Sequence, residues 1–107
     1  MENKKDIAIV GMSCIAPEAS NYTEYWNNLI NGVDCIKDVP ADRLDPRYFD
    51  DTKTPAVDRF YCKRGGFIPD ILFDPIQFSI LPLAVEGMDT AHLLALKCVY
   101  EALEDAS

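Results

Sequence analysis

Apolar and polar positions alternate along this chain in blocks of distinct kind. Ile7-Ala-Ile-Val10 is a short apolar, β-branched run closed by Gly11, and it predicts a buried strand ending in a tight turn. Residues 16–21, APEASN, are loop-like. Asn21 or Thr23 then caps a predicted helix from about Tyr22 to Asn31, with Gly32 as its stop and Tyr22, Tyr25, Trp26, Leu29 and Ile30 on one face. Between Val33 and Phe60 the pattern dissolves. Pro40, Pro46 and Pro55 interrupt any helix or central strand there and predict a long irregular loop, of the length that tends to be functional or packed against something else.

The second half is more apolar. Phe67, Ile68, Ile71, Leu72, Phe73, Ile76 and Phe78 are too many large side chains to stay solvated around Pro69 and Pro75, so they need a partner surface. From Asp89 to Ala106 the chain has no Gly or Pro and is rich in Ala and Leu, which predicts a long helix with Asp89 as its cap. Leu94, Cys98, Ala102 and Ala106 form one stripe of it, while Leu93, Leu96, Val99, Tyr100 and Leu103 carry the apolar surface nearly around the cylinder. A helix of that kind is normally buried in a large protein. The elements together predict an α/β chain of strand, helix, long irregular loop and long C-terminal helix that is a slice of something larger.

Composition narrows the partners. The 107 residues suffice for one small domain or part of a bigger one, and an apolar content of 49% with 26% charged residues is that of a globular protein. A net charge of −8, from 18 acidic against 10 basic residues, repels phosphate backbones and anionic lipid, so neither nucleic acid nor a membrane is expected as partner. The N-terminal MENKKD leads into an apolar run too brief for a signal-peptide core or a membrane span, and a cytoplasmic location is expected. Cys14, Cys35, Cys62 and Cys98 stand far apart with no C-x-x-C pair and a single histidine, so free thiols are expected and no metal site.

Candidate chemistry centres on YCKRGGFIPD, residues 61–70. Lys63 and Arg64 next to Cys62 are the surroundings that lower a thiol pKa. A cysteine nucleophile also needs a base or oxyanion donors, and the one histidine, His92, lies in the long helix, where a hydrogen-bonded structural role is the expectation. Cys62 is therefore read as structural or incidental. Gly65-Gly66 could let backbone approach a ligand, but is read as a turn with positive φ. Gly11-Met-Ser-Cys14 follows a predicted strand, yet lacks the spacing of a phosphate-binding loop. Asp50, Asp51, Glu101, Glu104 and Asp105 could pair for acid–base work, but are read as a solvated face.

Five ordered blocks carry a resemblance. IAIVGMSC at 7–14, TEYWNNLINGVDCI at 23–36, VPADRLDPRYFD at 39–50, KRGGFI at 63–68 and FSILPLAVEGMDTAHLLALKCVYEALEDAS at 78–107 resemble the opening of β-ketoacyl synthase domains of polyketide and fatty acid synthases. That family commonly reads I-A-I-V-G-M-[AS]-C, V-P-x-D-R-[WL], G-G-F-[LI] and F-G-I-S-P-x-E-A-x-x-M-D-P-Q-Q-R. Departures are Ser79 and Leu81 for the usual Gly and Ser, Thr90-Ala-His-Leu93 for P-Q-Q-R, and Tyr100 for Trp. With YCKRGGFIP they look closer to polyunsaturated fatty acid systems than to ordinary modular polyketide synthases, and could also mark altered chemistry.

The resemblance implies the N-terminal part of a thiolase-like fold, a single synthase domain left incomplete at residues 1–107. It also implies a homodimer and a decarboxylative Claisen condensation, an acyltransferase activity. Substrates would ride on the phosphopantetheine of acyl carrier protein, the partner, and no cofactor would bind directly. The family's nucleophilic cysteine and two histidines lie in motifs further along, none of which occurs here, so no catalytic, cofactor-binding or metal-binding residue is carried onto this chain. Cys62 aligns with a variable position before G-G-F, and Cys14 with the turn after the first strand. The chain alone is expected to be inactive and to fold poorly or associate through exposed apolar surface. The alternative is a non-catalytic, synthase-like interaction module, and a small thiol enzyme in its own right ranks last.

Overall fold

The computed structural model describes residues 5–50 and 57–107 and divides into two compact units, residues 16–69 and residues 1–15 with 70–107. Expectations at Asp51 and Pro55 lie outside the described residues.

In the unit 16–69 the chain enters through a tight reversal in which Ala16 and Ala19 exchange both backbone hydrogen bonds, at 2.9 and 3.0 Å. Helix α1, Tyr22–Ile30, follows. Its extended N-cap Asn21 accepts the Glu24 amide at 2.9 Å, and the Glu24 carboxylate reaches back to the Ser20 amide at 2.7 Å, so amides at the helix start that lack helical partners are satisfied by side chains. At the other end Gly32 takes φ +62, and the Gly32 and Val33 amides donate to Leu29 and Asn28 at 3.2 and 2.9 Å. This is the glycine-terminated end that the sequence signals, because only the residue without a Cβ adopts that φ at no steric cost.

Strands β1, Ile36–Asp38, and β2, Arg64–Gly66, pair antiparallel with Ile36 opposite Gly66 and Asp38 opposite Arg64. The Val39 amide extends the ladder to the Lys63 carbonyl at 2.8 Å. The segment between them is more ordered than its prolines suggest. Asp45 caps a 3-10 turn over Pro46–Tyr48 by accepting the Arg47 amide at 2.9 Å. The Phe60 amide donates to Tyr48 at 2.8 Å, the Asp50 amide donates back to Phe60 at 3.0 Å, and the Phe49 and Phe60 rings lie 6.5 Å apart. The expectation of an irregular loop over 33–60 is thus corrected: it contains the strand Ile36–Asp38, and backbone hydrogen bonds join Tyr48 and Asp50 to Phe60.

In the other unit the expectation of a buried strand at Ile7–Val10 is also corrected. No ladder involves residues 5–15, and Ile7, Ile9 and Val10 are 93, 85 and 72% exposed. A strand is stable only when neighbours take up its amides and carbonyls, and the described residues supply none. Helix α2, Pro82–Val85, is a single turn with proline at its first position, and α3, Thr90–Asp105, is the long helix that the sequence predicts. Asp89 caps α3 by accepting the Ala91 amide at 2.8 Å.

Residues 11–14 lie along α3 in antiparallel register. A Cβ on Gly11 would stand 2.3 Å from the Ala102 carbonyl oxygen and 2.8 Å from the Ala106 Cβ. The small stripe of α3 is therefore the seat of this segment. Ahead of α2, the Phe73 and Phe78 rings stack at 4.9 Å, and Phe78 meets the edge of Tyr100 at 5.7 Å, so part of the apolar run 67–78 finds its partner surface on α3. The rest of α3 does not: Val99 and Leu103 are 59 and 67% exposed, and Ala19 is the one buried hydrophobic among the described residues.

Gly11→Ala is expected to destabilise the native protein by about 1–3 kcal/mol, since helix backbone cannot give way to a methyl. A denaturation midpoint unchanged from the parent chain contradicts the close seat. Ser79, held at φ +56, bends the chain after the 3-10 turn over Ile76–Phe78. Ser79→Gly should raise stability by about 0.5–1 kcal/mol by removing the left-handed strain, net of the glycine's greater freedom when unfolded; a loss of stability on the same denaturation curve would contradict it.

Candidate functional site

The segment around Cys62 is built as a sheet edge. Arg64 donates to the Ile36 carbonyl at 2.8 Å and lies 3.7 Å from the Asp38 carboxylate, so its charge is turned to the opposite strand. The Cys62 thiol is exposed and donates to the Arg64 carbonyl at 3.2 Å. That contact turns the thiol to a backbone acceptor two residues ahead. Gly65 and Gly66 have no positive φ, which corrects the reading of them as a turn. A Cβ on Gly66 would stand 2.7 Å from the Pro17 ring, so the glycine permits close approach to another part of the same unit.

Gly11–Cys14 leaves no anion site. The Met12 amide donates to the Asp105 carboxylate at 2.9 Å, and the Ser13 hydroxyl to Glu101 at 3.1 Å, so the groups that would cradle a phosphate hold carboxylates. Glu101 also takes the Lys97 ammonium at 2.9 Å, one helical turn earlier. The solvated-face reading therefore needs correction at Glu101 and Asp105, which anchor the N-terminal segment to α3. The Cys14 thiol is pushed up by burial first and by neighbouring Cys98 second. A thiol so raised is protonated, and less nucleophilic than an ordinary one, at neutral pH.

His92 sits exposed in the first turn of α3 with its backbone amide on Asp89, and its ring makes no hydrogen bond among the described residues, against the expectation of a bonded structural role. In the unit 16–69, a cavity of about 440 Å³ is lined by Arg47, Tyr48, Val57, Asp58 and Arg59. The Asp45 carboxylate grips Arg47 at 2.6 Å, which holds that carboxyl below the usual carboxylate range, and Arg59 donates to the Arg47 carbonyl. Among these lining residues there is neither a thiol nor an imidazole. No group of three or more His, Cys, Asp or Glu among the described residues is placed to hold a metal ion. No helix among the described residues is long and apolar enough to cross a membrane.

The contacts of Met12, Ser13, Cys62 and Arg64 are thus anchoring contacts, each within its own unit, and the His92 ring takes part in none of them. Residues 4–107 match the family described as beta-ketoacyl synthase, N-terminal domain, and the chain belongs to that family. It is 44% identical over 101 residues to a polyunsaturated fatty acid synthase polypeptide of Thraustochytrium sp., covering 94% of this chain and 4% of that protein. To polyketide synthase PksL of Bacillus subtilis it is 43% identical over 103 residues, covering 95% and 2%. Identities of 44 and 43% join the two classes rather than separate them.

Solved ketosynthases agree in fold. The oxazolomycin ketosynthase domain of Streptomyces albus superposes with a TM-score of 0.82 at 35% identity, over 91% of this chain and 17% of that one. The ketosynthase from module 6 of the bacillaene synthase of Bacillus subtilis gives 0.79 at 42%, over 92 and 16%. The chain has the fold of the N-terminal part of a thiolase-like α/β ketosynthase domain, and it spans under a fifth of those solved chains.

Family residues fall where the geometry needs them. Ser79, with its left-handed φ, stands where the family commonly has glycine. The anchors Glu101 and Asp105 belong to the E-A-L-E-D-A block, and sequence reading missed their role because their partners lie 88 and 93 residues away.

Cys62 should react with a maleimide well before Cys14 in the native protein, by on the order of tenfold, because Cys62 is exposed and Cys14 is both covered and raised in pKa. Peptide mass mapping of partly alkylated protein checks this; equal labelling would contradict the anchored geometry.

Proposed function

We propose that residues 1–107 are the N-terminal portion of one β-ketoacyl synthase domain. In the whole protein that domain would join an acyl group, held as an enzyme thioester, to a malonyl group on the phosphopantetheine of acyl carrier protein, with loss of carbon dioxide. The nucleophilic cysteine and the two histidines of that reaction lie outside these residues, the working form is a homodimer, and the setting is the cytoplasm. The observation that carries this reading is a mismatch of coverage: the chain aligns over nine-tenths of itself with solved ketosynthases but over 17% of one of them. Large uncovered side chains fit the same reading, since burying a single leucine or isoleucine is worth about 1.5–3 kcal/mol and a folded domain does not forgo many such gains.

What residues 1–107 contribute under this proposal is architecture. The Gly11–Cys14 segment and α3 form a docked pair whose open apolar sides would be covered by the remainder of the domain. A second reading is a synthase-like module that binds a complete synthase without catalysing anything, and the bare face of α3 at Val99 and Leu103 favours it.

The test is made on the whole protein. Replacing Cys14, Cys35, Cys62 and Cys98 together by serine should leave acyl transfer to the enzyme and condensation with malonyl carrier protein within about threefold of the parent, because none of them touches the reacting atoms. Loss of acylation in a folded quadruple variant would overturn the placement of the nucleophile outside these residues. A parent protein that never becomes acylated would favour the non-catalytic module.

A further inference from the structure

We propose that Cys14 and Cys98 form a proximal thiol pair that closes to a disulfide under a hydroperoxide, covalently tethering the N-terminal segment to α3. The geometry rests on the register of the anchored segment. Gly11 touches Ala102 and Ala106, the Met12 amide reaches Asp105 at 2.9 Å, and the Ser13 hydroxyl reaches Glu101 at 3.1 Å. From Met12 to Ser13 the contact thus moves one turn back along the helix, from Asp105 to Glu101. The next step brings Cys14 to the level of Cys98, on the same small stripe as Ala102 and Ala106 and one turn before Ala102. Both are half-buried free thiols within the same unit. That Cys98 contributes to raising the Cys14 pKa accords with this proximity.

Disulfide formation demands Cα atoms within about 7 Å, and the contacts of Gly11, Met12 and Ser13 hold the residue that follows them close to α3. The remaining cysteines contact other groups. The Cys35 sulfur lies 3.9 Å from the Val33 carbonyl and 4.0 Å from the Asn28 amide, and Cys62 is turned to the Arg64 carbonyl.

The reaction balances with one peroxide. One thiolate attacks a peroxide oxygen, breaking the O–O bond and leaving a sulfenic acid and an alcohol or water. The second thiolate attacks that sulfur and expels water, so two thiols are oxidised as the peroxide is reduced by two electrons. Because the thiolate is the attacking form and Cys14 is held protonated, closure should be slow at neutral pH and quicken as pH rises into and beyond the ordinary thiol range.

The experiment oxidises the native, full-length protein with hydrogen peroxide, blocks residual thiols and maps tryptic peptides. The expected product joins the peptide 6–37 to the peptide beginning at Cys98, 2 Da lighter than the sum of the two reduced peptides, at least about tenfold above any other cysteine pairing, as for a preformed intramolecular contact. It should persist in Cys35→Ser, which leaves Cys14 the sole cysteine of the first peptide, and its preference should vanish in urea. Free Cys14 and Cys98 after oxidation of Cys62 would overturn the proposal, as would a pairing as abundant in urea as in native buffer.

Discussion

The contact between Gly11 and the last turns of α3 organises its unit, because it is where backbone meets backbone without a side chain between. With the Ala102 carbonyl 2.3 Å from where a Cβ would stand, the approach is available to glycine alone. The consequence runs along the chain. Once Gly11 is seated, the Met12 amide and the Ser13 hydroxyl come within reach of two acidic side chains spaced one turn apart, and Cys14 is covered. A charge-rich helix end that would otherwise face water becomes a docking ladder. The charge-assisted bonds matter less for their energy, since they are partly exposed, than for fixing a single register.

Against that well-made seat stands a shortage of burial. One buried hydrophobic among the described residues, Ala19, cannot supply the apolar term that offsets chain entropy in a folded domain. The local elements are nonetheless well made: α1 has a side-chain cap and a glycine stop, α3 has an aspartate cap, and the two short strands are in register. Local signals of this quality with so little core suit a segment whose tertiary partners lie elsewhere, which is how the proposed place in a larger domain accounts for Ile7, Ile9 and Val10 standing in solvent.

Features that rest on short-range physics were legible in the sequence. Asn21, Gly32 and Asp89 act within four residues of themselves, so caps and stops could be read directly. The stripe Leu94, Cys98, Ala102 and Ala106 was visible as a helical ridge, although nothing local said which segment would lie on it. What escaped depends on distant pairing. β1 hides among polar residues because three residues paired with one arginine and two glycines need no apolar signature, and its partner Arg64–Gly66 starts 28 residues after Ile36. Conversely Ile7–Val10 has the strand signature and no ladder, since periodicity reports a segment's preference and not the presence of a neighbour.

The same distinction governs the thiols. A cysteine beside two cations reads as activated only if those cations face it, and sequence adjacency does not fix direction. Arg64 instead spans to Ile36 and Asp38 across the ladder, and the Cys62 thiol donates to the Arg64 carbonyl. The strand pairing of Arg64–Gly66 thereby turns the Arg64 charge away from the use that the composition of YCKRGGF suggests. In this part of the chain, forming the sheet and activating the thiol are competing uses of the same arginine.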